Sequence, residues 1–423
     1  MKYTHALSAL LAASILLCTS FTSYADGVTA ADAPSIVNGT PPQIIDAPAS
    51  SDQVETLPAA SVPVPDVPDK APFDVDCKSA VLMDLATGTV LYAKNATESL
   101  PPASVTKIMT LLLTMEALDE SRFALTDKVQ VSDYAASMGG SQVFLKAGEE
   151  LTVEELIKST VIASANDSAV ALAELISGSV DAFVSRMNQR AAELGMGSTH
   201  FENPTGLDDD VTNHVTSAYD IAVMSRELSK HETIFSYSSI WMDSIRDGAF
   251  GLTNTNRLVR FYNGATGLKT GSTAAAKFCI SATAKRDGMH LCAVIMGAPS
   301  RDIRNHIAKT LLDWGFSNYF VYSDPGAECG VVRVIGGTVD SVPVAYGKYE
   351  ALLPSSKRGN IEVAVNIPES VNAPVKKGDA LGTVTYSCGD EVIGEGQVTA
   401  CADAEKIGFG EILRRIFSTF LLI

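Results

Sequence analysis

The sequence predicts an α/β (α+β) domain, followed by a small all-β domain and a C-terminal amphipathic helix. Three observations carry that expectation. Between residues 77 and 325, strand-like runs bounded by glycine turns enclose long apolar segments with helical spacing. After Gly326 the pattern changes to short alternating runs, GVVRVIGG, IEVAVNI and GDALGTVTYS, broken by Gly, Pro and Asn. The last stretch, IGFGEILRRIFSTFLLI, repeats apolar residues at i, i+3, i+4 and i+7. A chain of 423 residues with 46% hydrophobic content can bury one large domain and a smaller one. Its formal net charge of -17 excludes a polyanion-binding surface, so no nucleic acid partner is expected.

Residues 1–25 read as a secretory signal peptide: Lys2 is followed by an apolar run from Ala6 to Phe21 and by Ser23-Tyr24-Ala25, a small-x-small cleavage pattern. Residues 26–76 hold half of the chain's 18 prolines and one basic residue, Lys70, which is linker composition. The large domain is expected over 77–325, the β-rich domain over 326–405 and the amphipathic helix over 406–423.

The large domain opens with SAVLMDLATGTVLYAKN, two strand-like runs flanking Thr87-Gly88, a β-hairpin. In PPASVTKIMT, Pro101 and Pro102 stop the preceding segment. Ser104 then starts a helix that is apolar nearly all round, through Val105, Ile108, Met109 and Leu111 to Met115. Ser104 and Lys107 are i and i+3, so their side chains share one helical face. Burial disfavours the ammonium form and lowers a lysine's proton affinity from its usual ~10.4. A neutral amine beside a hydroxyl is a general base for a serine nucleophile, and a helix N-terminus adds N–H groups where an oxyanion forms.

Two further stretches add to this pair. LTVEELIKSTVIASANDSAVALAELI begins with a capping box, Thr152 to Glu155, and is interrupted at Ser164-Ala165-Asn166, where polar side chains either cap the break or face a cleft. A second S-x-N, Ser370-Val371-Asn372, stands beside a proline and reads as a plain turn. GATGLKTGSTAAAKFCISATAKRDGMHLCAVIMGA carries Lys269-Thr270-Gly271 into strand-like runs joined by Asp287-Gly288, a hairpin signal. Lys269 offers fixed positive charge and Thr270 a hydroxyl, both suited to a carboxylate. Gly271 lets a second backbone, such as an extended peptide substrate, approach the strand.

With S-V-T-K, S-A-N and K-T-G in that order, the chain resembles the penicillin-binding and serine β-lactamase superfamily. More narrowly it is similar to the low-molecular-mass, serine-type D-alanyl-D-alanine carboxypeptidases. SAVLMDLATGTVLYAKN, MGGSQVFLKAGEELTVEELI, FENPTGLDDD, TSAYDIAVMSREL and TNRLVRFYNGATGLKTGST carry the likeness over Cys77 to Cys401 and the C-terminal tail. The resemblance implies a penicillin-binding/β-lactamase-like transpeptidase domain and removal of the terminal D-Ala from peptidoglycan stem peptides ending in D-Ala-D-Ala. β-Lactams would be covalent inhibitors. Ser104 would be the acylated nucleophile, Lys107 its proton acceptor, and Ser164 and Asn166 a proton relay and a substrate-amide holder. Lys269, Thr270 and Arg304 would bind the terminal carboxylate, with Gly271 beside them, and the N–H groups of Ser104 and Ser272 would form the oxyanion hole. A class A β-lactamase shares the motifs, but NPTGLDDDVTNHVTSAYD lacks the glutamate of its E-x-x-x-N setting.

No metal or other cofactor is expected. The cysteines left after signal removal form no C-x-x-C pair, and no H-E-x-x-H occurs. Those cysteines either pair, with Cys388 and Cys401 the first pair to consider, or stand as free thiols. The β-rich segment would be a stalk. In the terminal helix Phe409, Ile412, Leu413, Ile416, Phe417, Phe420 and Leu421 face opposite Glu411, Arg414, Arg415 and Ser418. That pattern suits a helix lying flat on a membrane surface with its arginines at anionic headgroups. The expected location is the outer face of the cytoplasmic membrane or the cell wall.

Overall fold

The computed structural model describes residues 73–208 and 211–421. The expected signal peptide and the linker as far as Pro72 lie outside the described residues. The last residues of the stretch read as linker are packed: Phe73 stacks on Tyr92 at 5.5 Å between ring centres, and Val75 is buried.

Five antiparallel strands form the central sheet, in the order Val90–Lys94, Ser79–Asp84, Met289–Ala298, Lys277–Arg286 and Ala265–Thr273. The hairpin of residues 79–94 thus pairs with strands of residues 265–298, and most of the large domain's helices are inserted between them. Both faces of the sheet are covered, which is why its strands read as continuous apolar runs. Alternation sends Ala80, Leu82, Ile280, Ala282, Leu291 and Ala293 to one face, against Ile307, Ala308, Leu311 and Leu312 of the helix Arg301–Asn318. Val81, Met83, Cys292, Val294 and Met296 point the other way, into the core of the helices Lys107–Asp119, Val153–Ile162, Asn166–Ser177 and Ala218–Ser229. Lys107–Asp119 runs through the middle of that core, with residues 107–115 all buried, hence its lack of a polar side.

The turn chemistry follows the sequence. Asp287 and Gly288 both have positive φ, 48° and 82°, in the two-residue loop between Arg286 and Met289. Thr152 and Glu155 exchange both hydrogen bonds of a capping box.

β structure resumes at Tyr319, directly after the helix Arg301–Asn318 and upstream of Gly326: Tyr319–Asp324 pairs with Tyr349–Pro354. A six-stranded sheet follows, ordered Ile361–Asn366, Ala380–Cys388, Glu391–Ala400, Ser341–Tyr346, Ala327–Ile335 and Ser370–Asn372. Ser370-Val371-Asn372 is therefore not the plain turn expected but a short edge strand, parallel to Arg333–Ile335. The six described cysteines are free, so Cys388 and Cys401 are unbridged.

The terminal helix spans Phe409–Leu421 and exposes Phe409, Ile412, Leu413, Ile416 and Phe417. Its arginines are not left for headgroups alone. Arg414 pairs with Glu411 at 2.6 Å, and Arg415 donates to Thr338 O at 2.6 Å and approaches Asp340 at 3.4 Å. Among the described residues no single helix is long and apolar enough to cross a membrane.

Candidate active site

Ser104 lies in a tight 3-10 turn, Ala103–Thr106, that opens into the helix Lys107–Asp119. Ala103 has φ 50°, a conformation an alanine adopts only when its surroundings impose it. The surroundings are specific. Thr106 Oγ1 donates to Ala103 O at 2.9 Å and lies 2.8 Å from His214 Nε2. His214 Nδ1 accepts the Glu202 N–H at 3.0 Å, so the ring's proton sits on Nε2 and is given to Thr106. Burial holds this imidazole neutral, its pKa pushed down to about 4. Gly206 backs the same turn so closely that a Cβ there would lie 1.9 Å from Ala103 O.

Lys107 is completely buried. Its Nζ is 3.0 Å from Ser104 Oγ, 2.6 Å from Asn166 Oδ1 and 2.7 Å from Thr205 O. Desolvation pushes its pKa well below the ordinary lysine value; Lys269 adds to the shift and Asp167 opposes it. The three partners differ in kind. The amide oxygen and the peptide carbonyl only accept, so each claims one N–H of a neutral amine. The lone pair is then left pointing at Ser104, the one partner with a proton to give.

Ser164 and Asn166 are brought to the same place by the break between the helices Val153–Ile162 and Asn166–Ser177. Ser164 has φ 63° and its hydroxyl caps nothing: it accepts from Lys269 Nζ at 2.7 Å and faces the cleft. Asn166 is oriented at both ends, Oδ1 towards Lys107 and Nδ2 donating to Gly139 O at 2.7 Å.

Ala265–Thr273, which carries K-T-G, is the outermost strand of the sheet, with its free edge beside Ser104. Lys269 is buried and also donates to Thr270 O at 2.9 Å. Burial, then Arg304, lowers its pKa from the ordinary lysine value to about 7. At Gly271 the backbone that approaches the strand is that of the nucleophile turn. A Cβ there would lie 2.8 Å from Pro102 O and 2.9 Å from Ser104 N.

A cavity of ≈ 640 Å³ opens over these groups, lined by Ser104, Ser164, Thr270, Gly271, Ser272 and Arg304, together with Ser141, Trp241, Arg257, Phe261 and Arg301. Lys107, Asn166 and Lys269 stand behind its wall. Thr270 Oγ1 donates to Thr255 Oγ1 at 2.8 Å, and Ser272 is exposed at the rim. Arg304 is buried and held by Asn305 Oδ1 and Cys279 O, whereas Arg301, one helical turn before it, is exposed. Burial lowers Arg304 to about 10, which leaves it cationic at neutral pH.

The residues named from the sequence thus line this cavity or stand behind its wall, and further groups that no motif marks support them, among them Thr205 and His214. Thr205 acts through its peptide oxygen, which no side-chain motif reveals. His214 is a lone histidine 108 residues from the Thr106 it holds.

This fold, with a serine on a helix-opening turn, a buried lysine three residues on and a second lysine on the edge strand, defines the penicillin-binding class of active-site-serine proteins. Residues 66–300 match the family model of D-alanyl-D-alanine carboxypeptidase, and residues 319–406 that of the penicillin-binding protein 5 C-terminal domain. The chain is 43% identical to D-alanyl-D-alanine carboxypeptidase DacF of Bacillus subtilis, over 80% of this chain and 89% of that one. It is 32% identical to DacC of Escherichia coli, over 79% and 86%. Among solved structures, penicillin-binding protein 5 of Haemophilus influenzae superposes with a TM-score of 0.66 at 29% identity, covering 80% of this chain and 100% of that one. Penicillin-binding protein D2 of Listeria monocytogenes, solved in an ampicillin-bound form, gives 0.54 at 28%, covering 58% and 100%. The chain belongs to the D-alanyl-D-alanine carboxypeptidase family.

Proposed function

We propose that the chain is a serine-type D-Ala-D-Ala carboxypeptidase that removes the terminal D-Ala from peptidoglycan stem peptides through an acyl-enzyme on Ser104. The observation that carries this reading is the 3.0 Å approach of a fully buried lysine to the Ser104 hydroxyl. Ser104 Oγ bonds to the carbonyl carbon of the penultimate D-Ala as its proton passes to Lys107 Nζ. The negative charge on the carbonyl oxygen falls to the N–H groups of Ser104 and Ser272. The C–N bond to the terminal D-Ala then breaks, and the leaving nitrogen takes the proton of the Ser164 hydroxyl, which Lys269 holds; Ser164 takes in turn the proton that Lys107 had gained, so Lys107 is neutral again. Thr270 and Arg304 receive the terminal carboxylate, and Asn166 a substrate amide. Water attacks the ester, its proton going to the neutral Lys107, which passes it to Ser104 Oγ as the ester C–O bond breaks.

A β-lactam presents a strained amide at the same position and acylates the same serine. Intact mass after penicillin treatment should show one adduct on the wild-type chain and none on Ser104→Ala, with D-Ala released from a pentapeptide only by the former. An equal adduct on Ser104→Ala, or none on either, refutes the assignment.

The chain acts outside the cytoplasm, as its relatives' wall substrate requires. Residues 1–25 serve as the export signal. The apolar side of the terminal helix lies in the outer leaflet of the cytoplasmic membrane, making the enzyme peripheral. Support comes from the exposed, unbroken row Phe409, Ile412, Leu413, Ile416 and Phe417.

A further inference from the structure

Asp167 belongs to none of the three motifs, yet it is fully buried beside them. Its carboxylate accepts the N–H groups of Val143 at 3.1 Å, Leu145 at 3.0 Å and Ser168 at 2.8 Å. Val143 and Leu145 both aim at one carboxylate because Phe144 between them has φ 57°, although Phe144 is itself 64% exposed. Successive N–H groups turned inward in this way form an anion-binding concavity, here filled by the chain's own side chain. From the other side Arg246 donates to Val143 O at 3.0 Å and Phe144 O at 3.2 Å while held by Glu149. The loop clamped between them supplies Gly139 O and Ser141 O, which take the Nδ2–H and backbone N–H of Asn166, both at 2.7 Å. Asn166 Oδ1 in turn fixes Lys107 Nζ.

We propose that Asp167 is a positioning residue for acylation: its carboxylate fixes the loop 139–145, the loop orients Asn166, and Asn166 holds the Lys107 amine against Ser104. The inference rests on Lys107 acting as the proton acceptor. Asp167 also acts through space, since its charge favours the protonated form of Lys107 against burial and Lys269. The other charged or titratable groups facing this pair are Arg246, on whose guanidinium the Asp167 charge also acts, and His214, which feels Lys107 from the far side of the nucleophile turn.

The test compares wild type, Asp167→Asn and Arg246→Gln. Acylation rate constants with a fluorescent penicillin are measured across about pH 5 to 10, with melting curves giving the folded fraction. Asp167→Asn loses the charge and sets an NH2 against a backbone N–H. Its plateau rate per folded molecule should fall at least about tenfold, the scale of a small misplacement of reacting groups. Its acidic limb should move to lower pH, because a charge that favoured protonated Lys107 is gone. Arg246→Gln loosens the same loop but keeps that charge, so its plateau should fall while its limb stays. Failure of the wild type to form an adduct overturns the reading of Ser104 and Lys107 itself. A wild type that acylates beside a folded Asp167→Asn with an unmoved limb, or beside a folded Arg246→Gln with an unchanged plateau, overturns the role given to Asp167 alone.

Discussion

At the scale of single residues, the site depends on backbone positions that tolerate no Cβ as much as on its polar side chains. Gly271 brings the edge strand within van der Waals reach of the turn that carries Ser104, and both flanking groups, Pro102 O and Ser104 N, are backbone atoms that cannot rotate away. Gly271→Ala should therefore push the strand from the nucleophile. The expected stability loss is about 1–3 kcal/mol, the usual range for overpacking a filled site. Acylation by a β-lactam should fall roughly tenfold or more, because nucleophile and edge strand separate. Equilibrium urea unfolding and stopped-flow acylation measure the two effects. A folded variant that acylates at the wild-type rate would show that this approach does not set the geometry.

At the scale of elements, the terminal helix has two distinct sides. Arg415 binds Thr338 O and Asp340, Ile407 N–H binds Gly336 O, and the apolar row is left facing away from these contacts. The arginines expected at headgroups are thus partly spent in orienting the helix, so attachment should depend more on apolar burial than on lipid charge. A chain ending at Gly408 should lose binding to lipid vesicles in a flotation assay. Full-length protein should keep most of its binding when salt is raised, since screening weakens charge attraction but not apolar burial. Vesicle binding by the truncated chain would remove this role.

At the scale of the whole molecule, acid should unfold the chain through its buried histidines. An unfolded histidine takes up a proton near pH 6.5, whereas His214 does not until about pH 4. Between those values the unfolded state binds more protons, so stability rises with pH and is lost as the pH falls from about 6.5 to about 4. The 6% exposed His214 accounts for roughly 3 kcal/mol of that loss, and His290, also lowered to about 4 by burial, adds in the same direction. Urea unfolding at about pH 7 and about pH 4.5 should show a large difference in the wild type and a smaller one in His214→Gln. An equal loss of stability between the two pH values in both proteins would contradict this account of His214.

The Thr152–Glu155 box, the Asp287-Gly288 turn and the apolar helix after Ser104 were legible because each rests on neighbours a few residues apart. The meeting of Ser104 with Lys107 was legible in their i, i+3 spacing, but their meeting with Asn166 and Lys269 only through the likeness of the three motifs to a known family. Nothing local in the chain records that the hairpin of residues 79–94 and the strands of residues 265–298 share a sheet. The Thr205 carbonyl, the His214 support, the backbone that meets Gly271 and the lowered proton affinity of Lys269 are products of packing between distant segments. Side-chain spelling carries no trace of them.

The most direct test concerns the protonation of one nitrogen. ¹⁵N NMR of the Nζ signal in lysine-labelled protein, assigned by its loss in Lys107→Arg, gives that state across a pH titration. The account predicts a neutral amine for Lys107 at pH values where ordinary lysines, with pKa ~10.4, are fully charged. A Lys107 ammonium that persists until the ordinary lysines titrate would contradict it.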